Sequence, residues 1–216
     1  AREGIISPAE IYFIDEDETE RIRETARETI APTFYYEPKR ADEAVQGFRS
    51  AWEGLQRRPD SSSGGANRAN SNSKADAKWT GLGGPELGKV FGARSFSPNE
   101  LEAVARILRE NSSGDIYADQ DRQYLANEIS IVDRQKPTES RQAQNASTTM
   151  TALSEARRRL QQQLGEIRSL SPKEIEAFDA ALSPLIQPSV TYDAAATENA
   201  RRAVAASVQP VAISLK

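Results

Sequence analysis

Hydrophobic positions follow two habits along this chain: short β-prone runs near both ends, and helical spacing through much of the interior. Near the start, Ile11-Tyr12-Phe13-Ile14 is a β-prone run. Ile22, Ala26 and Ile30 then recur at helical spacing and give one apolar stripe. Pro32 ends that helix, because proline lacks an amide hydrogen and pushes the preceding residue toward extended geometry. Thr33-Phe34-Tyr35-Tyr36 is a second β-prone run, so the segment reads as strand–helix–strand. The far end is written the same way, with Val190-Thr191-Tyr192, a helix, Pro210 and Val211-Ala212-Ile213.

The two segments also share residues. Asp15, Thr19, Glu20, Arg23 and Pro32 recur 178 positions later as Asp193, Thr197, Glu198, Arg201 and Pro210. These are five identities over eighteen columns, where average residue usage gives roughly one. Asp15 and Asp193 are good N-caps, since a carboxylate oxygen accepts from free amides of the first turn. Glu18 stands where it would complete a capping box, and Ala196 at the matching position does not. If the strands of each unit are parallel, the crossover is right-handed.

Between the two ends the pattern predicts helices. Val45, Phe48, Trp52 and Leu55 form a core-facing stripe on a helix that starts near Ala41 and ends at Arg57-Arg58-Pro59. From 58 to 79 the chain is rich in Ser, Gly, Asn and Ala, and reads as an insert too polar to offset its ordering entropy. Ser97-Pro98-Asn99-Glu100 and Ser171-Pro172-Lys173-Glu174 each read as N-cap, proline at the first helical position and glutamate two further on. Ile116 to Val132 and Met150 to Ile167 also read as helical, separated by the polar stretch Gln135 to Ser147. The expectation is an α+β protein, mainly α. Residues 1–57 and 188–216 form an α/β subdomain from both termini, its two strand–helix–strand units making one small mixed sheet. The insert 58–79 and a helical subdomain, 80–187, complete the chain. If both ends return to one membrane, the termini lie close together.

Composition narrows the chemistry. The chain has 216 residues, 38% hydrophobic and 28% charged, with a net charge of -4, which argues against a nucleic-acid or anionic-membrane surface. It has no cysteine, so disulfides and thiolate chemistry are excluded. It has no histidine, so a Ser-His-Asp triad cannot be assembled. No run of about 18 apolar residues appears, and no signal peptide. The close at Val211 to Lys216 reads as a strand cut short.

Candidate sites each have a bland reading that fits better. Asp15-Glu16-Asp17-Glu18 lacks the glycine turn and ligand spacing of an EF-hand, and acidic residues suit a first helical turn. Arg157-Arg158-Arg159 reads as a solvated face rather than a phosphate site. Arg23 and Arg201 recur at one motif position, where a structural tie is favoured over a ligand role. Gly81-Leu82-Gly83-Gly84 lacks the rest of a phosphate-binding loop. Tyr35, Tyr36, Trp52 and Trp79 read as core or hinge residues. No catalytic, cofactor-binding or metal-binding residue is assigned, and no cofactor is expected.

The twin pattern Asp15-x-x-x-Thr19-Glu20-x-x-Arg23 with Ile30-x-Pro32, and Asp193-x-x-x-Thr197-Glu198-x-x-Arg201 with Val208-Gln209-Pro210, resembles the extracellular domain of bacterial seven-transmembrane HD-domain receptors. That family includes membrane cyclic-di-AMP phosphodiesterases. The resemblance covers about 1–57 and 188–216, extending to the lead-in Gly4-Ile5-Ile6-Ser7-Pro8. It implies an extracytoplasmic, non-catalytic module, anchored by flanking transmembrane helices, with an HD phosphohydrolase domain in the cytosol. Two roles follow: a sensor of an extracytoplasmic ligand, or an interaction module for envelope proteins or a homodimer. A convergent polar pocket would favour the first. An exposed apolar patch would favour the second. A free-standing carboxylate hydrolase finds no acid–base pair to support it.

Overall fold

The computed structural model describes residues 12–56 and 95–214. The insert expected at 58–79, the Gly81–Gly84 run and Trp79 lie outside the described residues. In chain order the elements are β1 (Tyr12–Asp15), α1 (Glu16–Glu28), β2 (Thr33–Tyr36), α2 (Arg40–Gln56) and α3 (Pro98–Ser112). There follow β3 (Ile116–Tyr117), a 3-10 turn (Asp119–Tyr124), β4 (Glu128–Asp133), β5 (Ser140–Gln144) and the short α4 (Ala146–Thr149). The chain closes with β6 (Thr151–Ala152), α5 (Leu153–Gly165), α6 (Pro172–Leu182), a 3-10 turn (Ser183–Leu185), β7 (Val190–Tyr192), α7 (Ala194–Ser207) and β8 (Val211–Ser214). The fold is α+β with helices dominating.

Two compact units are present. One joins residues 1–33 to 193–216, and the other is the continuous stretch 34–192. In the first unit the chain ends form a small sheet: β1 pairs antiparallel with β8, from Tyr12 opposite Ser214 to Asp15 opposite Val211. The two ends of the described chain are therefore neighbours. Helices α1 and α7 pack on each other, and Thr19, Thr197 and Ala205 are buried.

The second unit holds a six-stranded sheet in the order β5-β4-β2-β7-β3-β6. Its core has two parts. Val45, Phe48, Leu101, Leu108, Leu160, Leu164, Phe178 and Leu182 pack helices α2, α3, α5 and α6 together. Phe34, Ile129, Ile131, Met150 and Val190 pack along the sheet. Truncating one of the fully buried leucines to alanine removes contacts and opens a cavity, a loss of ~2–5 kcal/mol. The helix starts at Ser97 and Ser171 have the predicted form. Each serine hydroxyl accepts from the amide of the glutamate three residues on, and each glutamate accepts from the serine amide.

Three expectations are corrected. First, Ile116 to Val132 is not helical: it runs β3, a 3-10 turn and β4. Ile129 and Ile131 are buried while Glu128 is exposed and Ser130 half-buried, an alternation of period two that suits β-branched side chains on a sheet. Gly114, at φ +88°, supplies the left-handed turn that stops α3 from continuing. Second, the polar stretch after Gln135 is not only a separator. It contains β5, which is polar because it is the exposed edge of the sheet. Third, the strands of the end motifs do not make one mixed sheet. β1 and β8 form the small sheet, while β2 and β7 pair antiparallel inside the large one. The strands within each motif do not pair with each other at all, so no parallel crossover arises.

Candidate functional site at the chain ends

The shared residues of the two end motifs meet in reciprocal hydrogen bonds. Asp15 caps α1, its carboxylate accepting from the Glu18 amide at 2.9 Å. Asp193 caps α7 in the same way, accepting from the Ala196 amide at 3.0 Å. One turn in, the Thr19 hydroxyl donates to the Asp15 carbonyl at 2.6 Å and accepts from the Val211 amide at 3.0 Å. At the matching position, the Thr197 hydroxyl donates to the Asp193 carbonyl at 2.8 Å and accepts from the Thr33 amide at 2.9 Å. Val211 and Thr33 are the residues that follow Pro210 and Pro32. Each motif's threonine thus holds the first amide of the other motif's second strand. Strand pairing obeys the same exchange: Asp15 faces Val211, and the Asp193 amide donates to the Thr33 carbonyl at 2.9 Å.

Chemistry explains why threonine stands at both positions. A hydroxyl can donate and accept at once, whereas valine of the same shape can do neither. Both threonines are at most 2% exposed, so an amide facing valine there would go unpaired.

The matching arginines do not behave alike. Arg23 reaches Glu20 of its own helix at 3.4 Å. The Arg201 Nε is buried without a hydrogen-bond partner. Glu18 does not complete a capping box: its carboxylate turns to Arg21, with bonds of 2.7 and 2.5 Å. The Arg21 guanidinium holds the Glu18 carboxyl below the usual carboxylate range. Arg27, with Arg23 second, does the same to Glu20. Two of the four residues of the acidic run are thus engaged, Asp15 in the cap and Glu18 in a helix-surface ion pair.

The other sequence candidates lie in the second unit. Arg158 and Arg159 pair with Glu155 on their own helix, while Arg157 donates to the Ile186 carbonyl at 3.2 Å. Tyr35 is exposed with the Arg134 guanidinium 6.0 Å from its ring, and Tyr36 has that of Arg141 at 5.4 Å. Trp52 packs against the helical core. Among the described residues, the hollows of this unit include two of moderate size. One, about 240 Å³, lies among Glu37, Lys39, Arg40, Glu43, Arg134 and Gln135. The other, about 350 Å³, lies between α3 and α5 beside Arg106 and Gln163. In the smaller one both carboxylates already have cations: Glu37 pairs with Arg40 and Arg134, and Glu43 with Arg40.

Two structural residues escaped the sequence. The buried Ser189 hydroxyl donates to the Gly114 carbonyl at 2.6 Å and accepts from the Ile116 amide at 2.9 Å, seating β3. Asp119 caps α5 from a distance, accepting from the Ser154 amide at 3.1 Å and from its hydroxyl. No local pattern announces either, because the partners are far apart in sequence.

The comparison that decides the family is a match of the whole chain, residues 1–216, to the model described as 7TM-HD extracellular. The chain belongs to the 7TM-HD extracellular domain family. This assigns the 7TM-HD extracellular domain to the extracytoplasmic side of the membrane. Comparison with curated proteins and with solved structures returned no match. Among the described residues of the domain, no helix is long and apolar enough to cross a membrane. The threonine bonds bind its two chain-end motifs into one unit.

Proposed function

We propose that this domain is the extracytoplasmic sensor and regulatory module of a membrane-bound HD-type phosphohydrolase acting on a cyclic dinucleotide, and that it is itself non-catalytic. The observation that carries this reading is the reciprocal threonine exchange. A duplicated motif whose copies each hold the other's strand makes the two chain ends respond together. A cue that alters one end therefore alters the other, which is what a module inserted between membrane segments requires. The absence of histidine agrees, because the metal-binding His-Asp pair of an HD enzyme cannot lie here.

The test uses the full-length receptor in membranes. Ile14 and Ala212 are opposite one another on β1 and β8, and the chain has no cysteine of its own. A double I14C/A212C variant should form a reducible disulfide across the small sheet. Hydrolysis of cyclic-di-AMP should differ between the oxidised and reduced forms. Equal rates in both forms would refute coupling through the chain ends. A thermal-shift screen of the domain tests the cue itself, since a ligand that binds the folded state raises Tm.

A second reading, an envelope interaction or dimerisation module, is favoured by one observation. Phe13, Ile14 and Ile213 on the small sheet are 56%, 61% and 47% exposed.

A further inference from the structure

We infer that the hollow between α3 and α5 is a binding site for a small basic amino acid, a molecule with two ammonium groups and one carboxylate. The inference deepens the sensor reading by giving its cue a chemical class, and its test reads binding alone.

The hollow measures about 350 Å³, within the range of about 300–1,000 Å³ usual for small-molecule sites. Arg106, Ile107 and Glu110 of α3 line it, with Gln163, Glu166 and Ile167 at the end of α5. Residues four apart on a helix are neighbours. Elsewhere in this chain oppositely charged neighbours of that kind pair, as Glu155 does with Arg159 and Glu198 with Arg202. Arg106 and Glu110 are also four apart, yet they do not pair. Among the described residues, Arg106, Glu110 and Glu166 have no ionic or hydrogen-bonded partner.

Both carboxylates also stand where a helix disfavours them. Glu110 is in the last turn of α3, and Glu166 is the C-cap of α5. The carbonyl end of a helix carries partial negative charge and favours cations. α5 has no basic residue in its last turn, and Arg109 in that of α3 is taken by Asp42. Two carboxylates and two helix ends thus gather negative potential around one hollow, with Arg106 one turn back from the end of α3. That arrangement is complementary to a ligand with more positive charge than negative.

The donors are set from inside the protein. Asn111 is only 7% exposed, and its side-chain amide donates to the Ile107 carbonyl at 2.9 Å and to the side-chain oxygen of Gln163. With that oxygen engaged, Gln163 keeps its own amide hydrogens to give. Arg106 and Gln163 can therefore hold a carboxylate, and Glu110 and Glu166 can each accept from an ammonium. Ile107 and Ile167 offer apolar surface to the methylenes between these groups. Lysine and ornithine carry that set of groups on a short stem. A simple diamine leaves the guanidinium unanswered, and a neutral amino acid leaves one carboxylate so.

Isothermal titration calorimetry of the 216-residue chain with L-lysine and L-ornithine at low salt tests this. The expected result is saturable one-to-one binding, with norleucine and cadaverine weaker by at least ~10-fold. R106Q should bring lysine down to the level of cadaverine without weakening cadaverine, whereas E110Q and E166Q should weaken both. All three side chains are exposed, so the variants should keep the helical circular dichroism of the parent. No saturable binding of lysine or ornithine up to ~10 mM would overturn the inference. So would norleucine or cadaverine binding as tightly as lysine, or lysine binding undiminished in E110Q and E166Q. If lysine binds the chain yet leaves hydrolysis by the full-length receptor unchanged, the site stands and the sensor reading falls.

Discussion

Replacing Thr197 by valine isolates one half of the reciprocal exchange, because the shapes match and only the hydroxyl is lost. In the parent that hydroxyl is fully buried, 2.8 Å from the Asp193 carbonyl and 2.9 Å from the Thr33 amide. The Asp193 carbonyl still accepts from the Thr197 amide at 3.1 Å, so losing its second donor costs ~0.5–1 kcal/mol. The Thr33 amide has no such reserve, and leaving it unpaired costs ~1–3 kcal/mol. The added methyl group offsets about 0.8 kcal/mol. The net loss is about 2 kcal/mol, or a fall in Tm of about 4–8 °C for a chain of this size. Hydrogen exchange locates the effect: the Thr33 amide should exchange about 30-fold faster, while amides of the second unit's core change little. T197S, which keeps the hydroxyl, should leave Thr33 protected even if it lowers Tm through its lost methyl. Unchanged exchange at Thr33 in T197V, or equal loss in T197S, would refute the argument.

Three further outcomes follow from other contacts. T19V should release the Val211 amide as T197V releases that of Thr33, and the same exchange experiment reads it. D119A should cost about 1 kcal/mol by uncapping α5, seen as a lower Tm and faster exchange at Ser154. Glu18, Glu20 and Glu155 have carboxyls held low by Arg21, Arg27 and Arg158 respectively. Folded values below the unfolded ones mean a contribution present above the ordinary carboxylate range and lost as pH falls through and below it. Thermal melts from neutral to strongly acidic pH should show that loss, and high salt should shrink it, since these pairs are exposed.

Features fixed by near neighbours were legible in the sequence. The caps at Asp15, Asp193, Ser97 and Ser171 depend on residues three positions away, and each forms as expected. The twin spacing pointed to the family that the whole-chain match then established. Glu18 shows how even a local reading fails when two partners compete: Arg21, three residues on, takes the carboxylate that a capping box needs. The strand β4 was hidden because Ile129 and Ile131 lie in a stretch whose other apolar residues also fit helical spacing. The partnership of Thr19 with Val211 was beyond reach, because nothing in a helix states which distant amide its hydroxyl will meet.

The strand exchange also orders the chain in time. β1 is made well before its pairing partner β8, with the whole second unit between them. The second unit is a continuous stretch and can condense while synthesis continues. The first unit must wait, since contacts so far apart in sequence form slowly. A nascent chain stalled before Val211 would carry β1 bare, with Phe13 and Ile14 uncovered. The joint between β1 and β8 thus closes only after the whole intervening unit has been made.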